Sequence, residues 1–160
     1  MADAEFAKDK DRRSRFGYIM TLGSHVIHFK SKKLQLVCLS TTEAELLSFV
    51  VGLQEFIHLL QLLKFCAIKV TKPLAFCDNE PAVRILHDLQ SINRTKHLDI
   101  RILFSRQYLD IYSIQLSHIG TNYNWADGFT KPLQKQKFTE WLSSLGRTSQ
   151  LGGYGMRNSS

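Results

Sequence analysis

Ser40-Thr41-Thr42-Glu43-Ala44-Glu45-Leu46 marks the point where an extended, Lys-rich half of the chain gives way to a long apolar segment. Ser40 followed three residues later by Glu43 predicts a capping box. In it the Ser40 hydroxyl accepts the Glu43 amide and the Glu43 carboxylate reaches back to the Ser40 amide. Glu43 thus has a local role as a helix starter. Glu45 projects from a different side of the same helix, onto the face that continues through Phe49, Leu53 and Phe56. A carboxylate on an apolar face is unfavourable unless it is paired or ligates a metal, so other acids must converge on it.

Working outward, Leu, Phe, Val and Ile cover most of the circumference of a predicted helix from residue 41 to about 65, which must be buried against a sheet. Gln54, Glu55, His58 and Gln61 interrupt its apolar run below the roughly 18 residues of a membrane span. Upstream, residues 16–22 alternate as a half-buried strand, Gly23-Ser24 forms a hairpin turn, and residues 25–30 return as a second strand. Ser31-Lys32-Lys33 is expected as a basic turn. Residues 1–10 are expected to hold the end of a first strand around Asp3, truncated because only Met1 and Ala2 precede that acid.

Downstream, residues 74–78 read as a short strand ending in Asp78. Helices are expected at 82–89 and 95–109, a strand at 112–118 and a last helix at 132–145. A strand following a long helix implies a parallel crossover, with Asp78 at the carboxyl end, where α/β sheets place their chemistry. The order predicts an α/β domain over residues 1–146, with a mixed five-stranded sheet flanked by helices, and a disordered polar Gly/Ser tail over 147–160.

The chain has 160 residues, of which 44% are hydrophobic and 22% charged, enough for one buried core. A formal net charge of +7 makes a polyanion, nucleic acid first, the natural partner. Cys38, Cys66 and Cys77 are odd in number and sit among apolar residues, which predicts reduced, buried thiols. No secretory signal opens the chain.

Four acids stand out by position, each on a different element: Asp3, Glu45, Asp78 and Asp127. Converging carboxylates suit hard cations such as Mg²⁺, and two such ions can clamp an in-line phosphoryl displacement. Taken singly, an Asp at a strand end is more often a turn or cap residue. Two basic groups, Lys30, Lys32, Lys33 and Arg94, Lys96, Arg101, could grip phosphates, the alternative being a solvated face. Tyr123 and Trp125 could stack on sugar or base, or close the core beside Asp127.

Six segments occur in the order found in the ribonuclease H domain of copia-type (Pseudoviridae) LTR retrotransposon Pol polyproteins. They are Asp-Arg-Arg-Ser-Arg-Phe-Gly-Tyr (11–18), Phe-Lys-Ser-Lys-Lys (29–33), Leu-Ser-Thr-Thr-Glu-Ala-Glu (39–45), Cys-Asp-Asn (77–79), Arg-Thr-Lys-His-Leu-Asp-Ile-Arg (94–101) and Ala-Asp-Gly-Phe-Thr-Lys-Pro-Leu (126–133). The chain resembles that family over roughly residues 2–146. Glu5-Phe6 stands where the family has Asp-Trp. The resemblance implies a ribonuclease H-like fold and endonuclease cleavage of the RNA strand of RNA–DNA hybrids during reverse transcription, with two Mg²⁺ or Mn²⁺ ions. It places the catalytic and metal-binding acids on Asp3, Glu45, Asp78 and Asp127, and offers His118, and less so His97, as an auxiliary that helps product leave. It implies reverse transcriptase and integrase domains as partners in the parent element, and an intracellular setting, in a cytoplasmic virus-like particle or the nucleus, without secretion, membrane or small-molecule cofactor. The reading from another class is an inactive retroelement remnant that binds nucleic acid or a protein partner.

Overall fold

The computed structural model describes residues 1–5, 13–35, 37–88 and 96–145, and of 96–99 the backbone only. Its elements are β1 (Ala2–Glu5), β2 (Arg15–Leu22), β3 (His25–Lys33), α1 (Thr41–Phe65), β4 (Leu74–Cys77), α2 (Glu80–His87), α3 (Lys96–Ile111), β5 (Gln115–His118), two 3-10 segments (Thr121–Tyr123 and Trp125–Phe129) and α4 (Lys135–Leu145). The predicted order of strands and helices is the observed one.

The five strands form one mixed sheet in the order β3-β2-β1-β4-β5. β1 is central: it runs antiparallel to β2, with Asp3 opposite Gly17, and parallel to β4 through Ala2 opposite Cys77. Ala2 therefore ties the Asp3 strand directly to the end of β4, one residue before Asp78.

Helix α1 lies across this sheet and is buried on both flanks. Leu46, Phe49, Leu53 and Ile57 pack with Ala75, Cys77, Val83, Ile102 and Leu116. Ala44 and Leu47 pack with Ala2, Ala4, Phe16, Tyr18 and Met20. By length and composition alone α1 could cross a bilayer, but half of its most apolar window is buried in the fold, so it serves as the core helix. The segment Trp125–Phe129 covers the opposite face, and Gly17 permits its approach: a Cβ there would stand 2.7 Å from the Phe129 Cβ.

The α1 cap differs from expectation in one bond. The Ser40 hydroxyl accepts the Glu43 amide at 3.1 Å, whereas the Glu43 carboxylate takes the amide of Leu39, at 2.6 Å, in place of that of Ser40.

Several boundaries also move. Ser31-Lys32-Lys33 is strand and not turn, because β3 keeps its register with β2 as far as Lys33 opposite Arg15. Helix α2 starts two residues early, at Glu80, because the Asn79 side chain caps it by accepting the Ala82 amide at 2.8 Å. Strand β5 starts late, because Ser113 adopts a positive φ to end α3 and the Ile114 amide still bonds back to Leu109. Cys38 and Cys77 are buried as predicted, but Cys66 is exposed at the end of α1. The expected 147–160 tail lies outside the described residues.

Candidate active site

The capping box starts α1 one turn before Glu45 and so points this side chain inward, where it is only 6% exposed. The Ala4 main chain hydrogen-bonds to its carboxylate. β4 ends at Cys77 and delivers Asp78 beside it. Ligand atoms of Glu45, Cys77 and Asp78 all lie within 4.8 Å of one another.

Asp3 and Asp127 border this trio without joining it at that spacing. Asp3 is 5% exposed on the central strand. Its Oδ2 accepts the Thr130 hydroxyl at 2.5 Å, and its main-chain carbonyl accepts the Ser48 hydroxyl at 2.6 Å. Asp127 lies in the Trp125–Phe129 segment and is ion-paired with Lys131. Asn124 fastens that segment to β1 by donating from Nδ2 to the Ala2 carbonyl at 3.1 Å, while its Oδ1 accepts the Ala126 amide. The structure thus gathers the four predicted acids at one end of the sheet: Glu45 and Asp78 close together, each with one unpartnered buried oxygen, and Asp3 and Asp127 beside them, held by Thr130 and Lys131.

The electrostatics record this convergence. Burial, reinforced by the charges of Asp3 and Asp78, pushes the Glu45 carboxyl up to about 9. Burial also raises Asp3 to about 6; the Thr130 hydrogen bond works against the rise, and the charges of Asp78 and Asp127 add to it. Asp78 is raised mainly by burial, against hydrogen bonds from Asn124 and Thr121. Burial opposes the charged form of Lys131, but its bond to Asp127 and the charges of Asp127 and Asp3 outweigh this, so its affinity for the proton rises. Two oxygens stay unsatisfied: Glu45 Oε2 and Asp78 Oδ1 are buried without a hydrogen-bond partner. Such atoms are rare in folded proteins and call for an occupant.

The sequence does not single out Thr130, Lys131 or Asn124 as site residues, and it marks Cys77 only as a buried thiol. Thr130 and Lys131 follow Asp127 at spacings of three and four, a helical-face signal that could have flagged the Lys131 pair. Nothing local reveals that Thr130 reaches Asp3, 127 residues away. The Cys77 thiol is pushed up to about 12, chiefly by burial, and keeps its proton, so it packs against the acids without serving hard cations.

The predicted basic residues gather partly. Lys30, Lys32 and Lys33 from β3 and Arg101 from α3 line one groove of about 450 Å³, floored by Leu47 and Val50 of α1. Lys30 is held by Glu55 at 2.7 Å. Arg94 and the side chains of Lys96 and His97 lie outside the described residues. His118 ends β5, and its Nε2 donates to the Asp78 carbonyl at 3.1 Å, bracing the turn that carries this acid. Tyr123 is 56% exposed and closes no core, while Trp125 is half-buried and its carbonyl accepts the Trp141 indole N–H.

No protein-family model matches the chain. It is 34% identical over 137 residues to the retrovirus-related Pol polyprotein from transposon TNT 1-94 of Nicotiana tabacum, a match covering 85% of this chain and 10% of that protein. It is 35% identical over 149 residues to the Pol polyprotein from transposon RE1 of Arabidopsis thaliana, covering 92% and 10%. The chain spans about a tenth of the length of these relatives. Among solved structures, LC11-RNase H1 in complex with an RNA/DNA hybrid superposes with a TM-score of 0.60 at 15% identity, covering 80% of this chain and 89% of that one. The homologues of this chain are copia-type retrotransposon Pol polyproteins, and the fold it shares with its structural neighbours is that of ribonuclease H.

Proposed function

We propose that this chain is a metal-dependent ribonuclease H that hydrolyses the RNA strand of RNA–DNA hybrids during retrotransposon reverse transcription, using two divalent ions, Mg²⁺ or Mn²⁺. The observation that carries the reading is a buried orphaned oxygen on each of two acids, Glu45 Oε2 and Asp78 Oδ1, whose residues bring ligand atoms within 4.8 Å of one another. These donors fit a hard cation, which takes carboxylate oxygens. Glu45 and Asp78 would hold the ions at the centre, with Asp3 and Asp127 completing the set from either side. Bound there, the ions supply charge neutralisation for the phosphate and a more acidic attacking water.

The chain's own residues do the positioning. Thr130 orients the Asp3 carboxyl, Lys131 orients Asp127, and His118 braces the main chain of Asp78. Lys32, Lys33 and Arg101 would grip the hybrid's phosphates along their groove, with Lys30 held by Glu55 at its wall. Support for the substrate comes from the solved neighbour, which was captured with an RNA/DNA hybrid. On this reading the activity would work beside reverse transcriptase and integrase domains, inside the cell in the element's particle, which the likeness to transposon Pol polyproteins supports.

The test incubates a labelled RNA–DNA hybrid with the chain and with its Asp78→Asn variant, in Mg²⁺ and in Mn²⁺. RNA cleavage that requires the ion and falls on the order of 10³-fold in the variant is expected. Salt-dependent binding of the hybrid without cleavage in either ion would sink the enzyme reading. It would favour the inactive remnant, which the engagement of Asp3 and Asp127 by protein partners also suits.

A further inference from the structure

We infer that Cys77, Glu45 and Asp78 together form a site for one thiophilic divalent cation such as Zn²⁺, and that this ion inhibits by drawing away two acids the proposed hydrolysis needs. The ligands are one sulfur and two carboxylates, from the end of β4, from α1 and from the turn after β4. A ligand atom of each lies within 4.8 Å of the other two. The Cys77 sulfur is built into this place. Its residue is 1% exposed, and the main chain is locked on both sides, paired with Ala2 of β1 and with His118 of β5. The sulfur also accepts the main-chain amide of Asn79, the residue that caps α2. An amide donor at a helix N-terminus favours sulfur as thiolate, the form that binds metal. Across the site Glu45, 6% exposed, keeps Oε2 buried without a hydrogen-bond partner, and Asp78 does the same with Oδ1.

Mg²⁺ takes oxygen ligands and passes over thiols. Zn²⁺ binds thiolate sulfur and carboxylate oxygen alike, in a tetrahedron with Zn–S of about 2.3 Å and Zn–O of about 2.0 to 2.2 Å. That geometry sets ligand atoms roughly 3.5 Å apart, so small side-chain rotations from the present spacing close the set, and water takes the fourth corner. The thiol gives its proton to solvent as the ion binds. The trio therefore sorts two classes of ion. An oxygen-seeking ion engages the acids and leaves the sulfur alone, whereas a thiophilic ion engages all three groups and holds Glu45 and Asp78 toward Cys77. Inhibition rests on the hydrolytic function proposed above; binding needs only the donor set.

The test titrates the full chain, carrying Cys66→Ser to remove the exposed thiol, with Co²⁺ as a coloured stand-in for Zn²⁺. A sulfur-to-cobalt charge-transfer band that saturates at a single ion per chain is expected, bleached by Zn²⁺ but not by Mg²⁺ at the same concentration, and absent after a further Cys77→Ala. Affinity for Zn²⁺ should fall by at least about 100-fold in that variant, the upper end of what a mere neighbour of the ligands would cost. No band in the parent, or a band that survives Cys77→Ala, would overturn the site. Should Cys77→Ala fail to fold, X-ray absorption at the zinc edge of the loaded parent decides. One sulfur at about 2.3 Å is expected, and a shell without sulfur would overturn the site. In Mg²⁺, the Zn²⁺ concentration that halves hybrid cleavage should rise in Cys77→Ala by the same factor as the affinity falls. Equal Zn²⁺ sensitivity in both forms would overturn the inhibitory role. A parent that shows the band but never cleaves hybrid would support the cation site and overturn the hydrolytic reading, and inhibition with it.

Discussion

Glu45 and Asp78 on one side of the acid cluster, and Asp3 and Asp127 on the other, are chemically alike and physically different. In the first pair each acid keeps one buried oxygen without a partner, and the two residues bring ligand atoms within 4.8 Å of each other. Both acids of the first pair do accept bonds, Glu45 from the Ala4 main chain and Asp78 from Asn124 and Thr121, whereas in the second pair no oxygen is left buried and unpartnered: the Thr130 hydroxyl serves Asp3 and the Lys131 ammonium serves Asp127. Burial works against the charge of the first pair, and on the proposed reading a cation would relieve it. The second is stable in the protein alone, and its members must share or exchange partners to meet an ion. The difference teaches that proximity of acids does not by itself make them equivalent ligands; the hydrogen-bond partners around each one sort them.

The most severe way to break this contrast is Glu45→Gln. Hydrolysis should fall on the order of 10³-fold, since a ligand of the central pair is lost. Stability should move the opposite way. The Glu45 carboxyl binds its proton up to about 9 in the folded state, against an ordinary 4.5. Between those values the folded chain holds a proton that the unfolded chain has released, so stability falls as pH rises, by at most about 1.4 kcal/mol per unit. The Gln variant cannot ionise and escapes this loss. Thermal melts in chelator should therefore show its advantage over the parent growing from pH 5 to pH 9, and a constant difference would refute the shared-burial account of the cluster. Saturating Mg²⁺ should stabilise the parent and leave the variant behind.

Thr130→Val sharpens the second half of the contrast. It removes the hydroxyl from Asp3 while keeping the shape, leaving a buried carboxyl to reorient; the expected loss is 10- to 100-fold in hydrolysis, roughly the range for outer-layer partners of metal ligands. Thr130→Ser should restore most of it, and the pH at which activity rises should shift upward in the Val variant because the bond that lowers the Asp3 carboxyl is gone. An unchanged pH profile would mean that Asp3 does not titrate in the working enzyme. The smallest effect belongs to Lys131→Met. Its pair with Asp127 is partly exposed and screened, so stability should change by less than about 1 kcal/mol and hydrolysis by only a few-fold, with weaker salt dependence than the parent. A loss as large as that of Glu45→Gln would place Lys131 on the substrate.

Local sequence already carried much of the design. Ser40 and Glu43 start α1, and the apolar surface after them runs on to Phe65, because a cap and a helical period act within a few residues. Gly23, at φ +58°, closes the β2–β3 hairpin for a similarly local reason. Boundaries failed where a local signal met a tertiary one. Lys32 and Lys33 look like a turn by themselves but are held as strand by pairing with Phe16 and Arg15. Trp125–Phe129 coils into a 3-10 segment because Asn124 ties it to the main chain of β1.

The sequence by itself singled out four acids as a candidate group, since each sits at a predicted strand end or near a helix start and stands out against its apolar or turn-forming neighbours. It also determined that the chain is basic and that its core helix is α1. Only the tertiary structure decided how the four acids divide. Their partners lie far away in sequence: Thr130 comes to Asp3 because Gly17 lets the last 3-10 segment press against β2 beside it. Burial then separates their proton affinities, and burial is a property of packed elements that no short stretch of residues possesses.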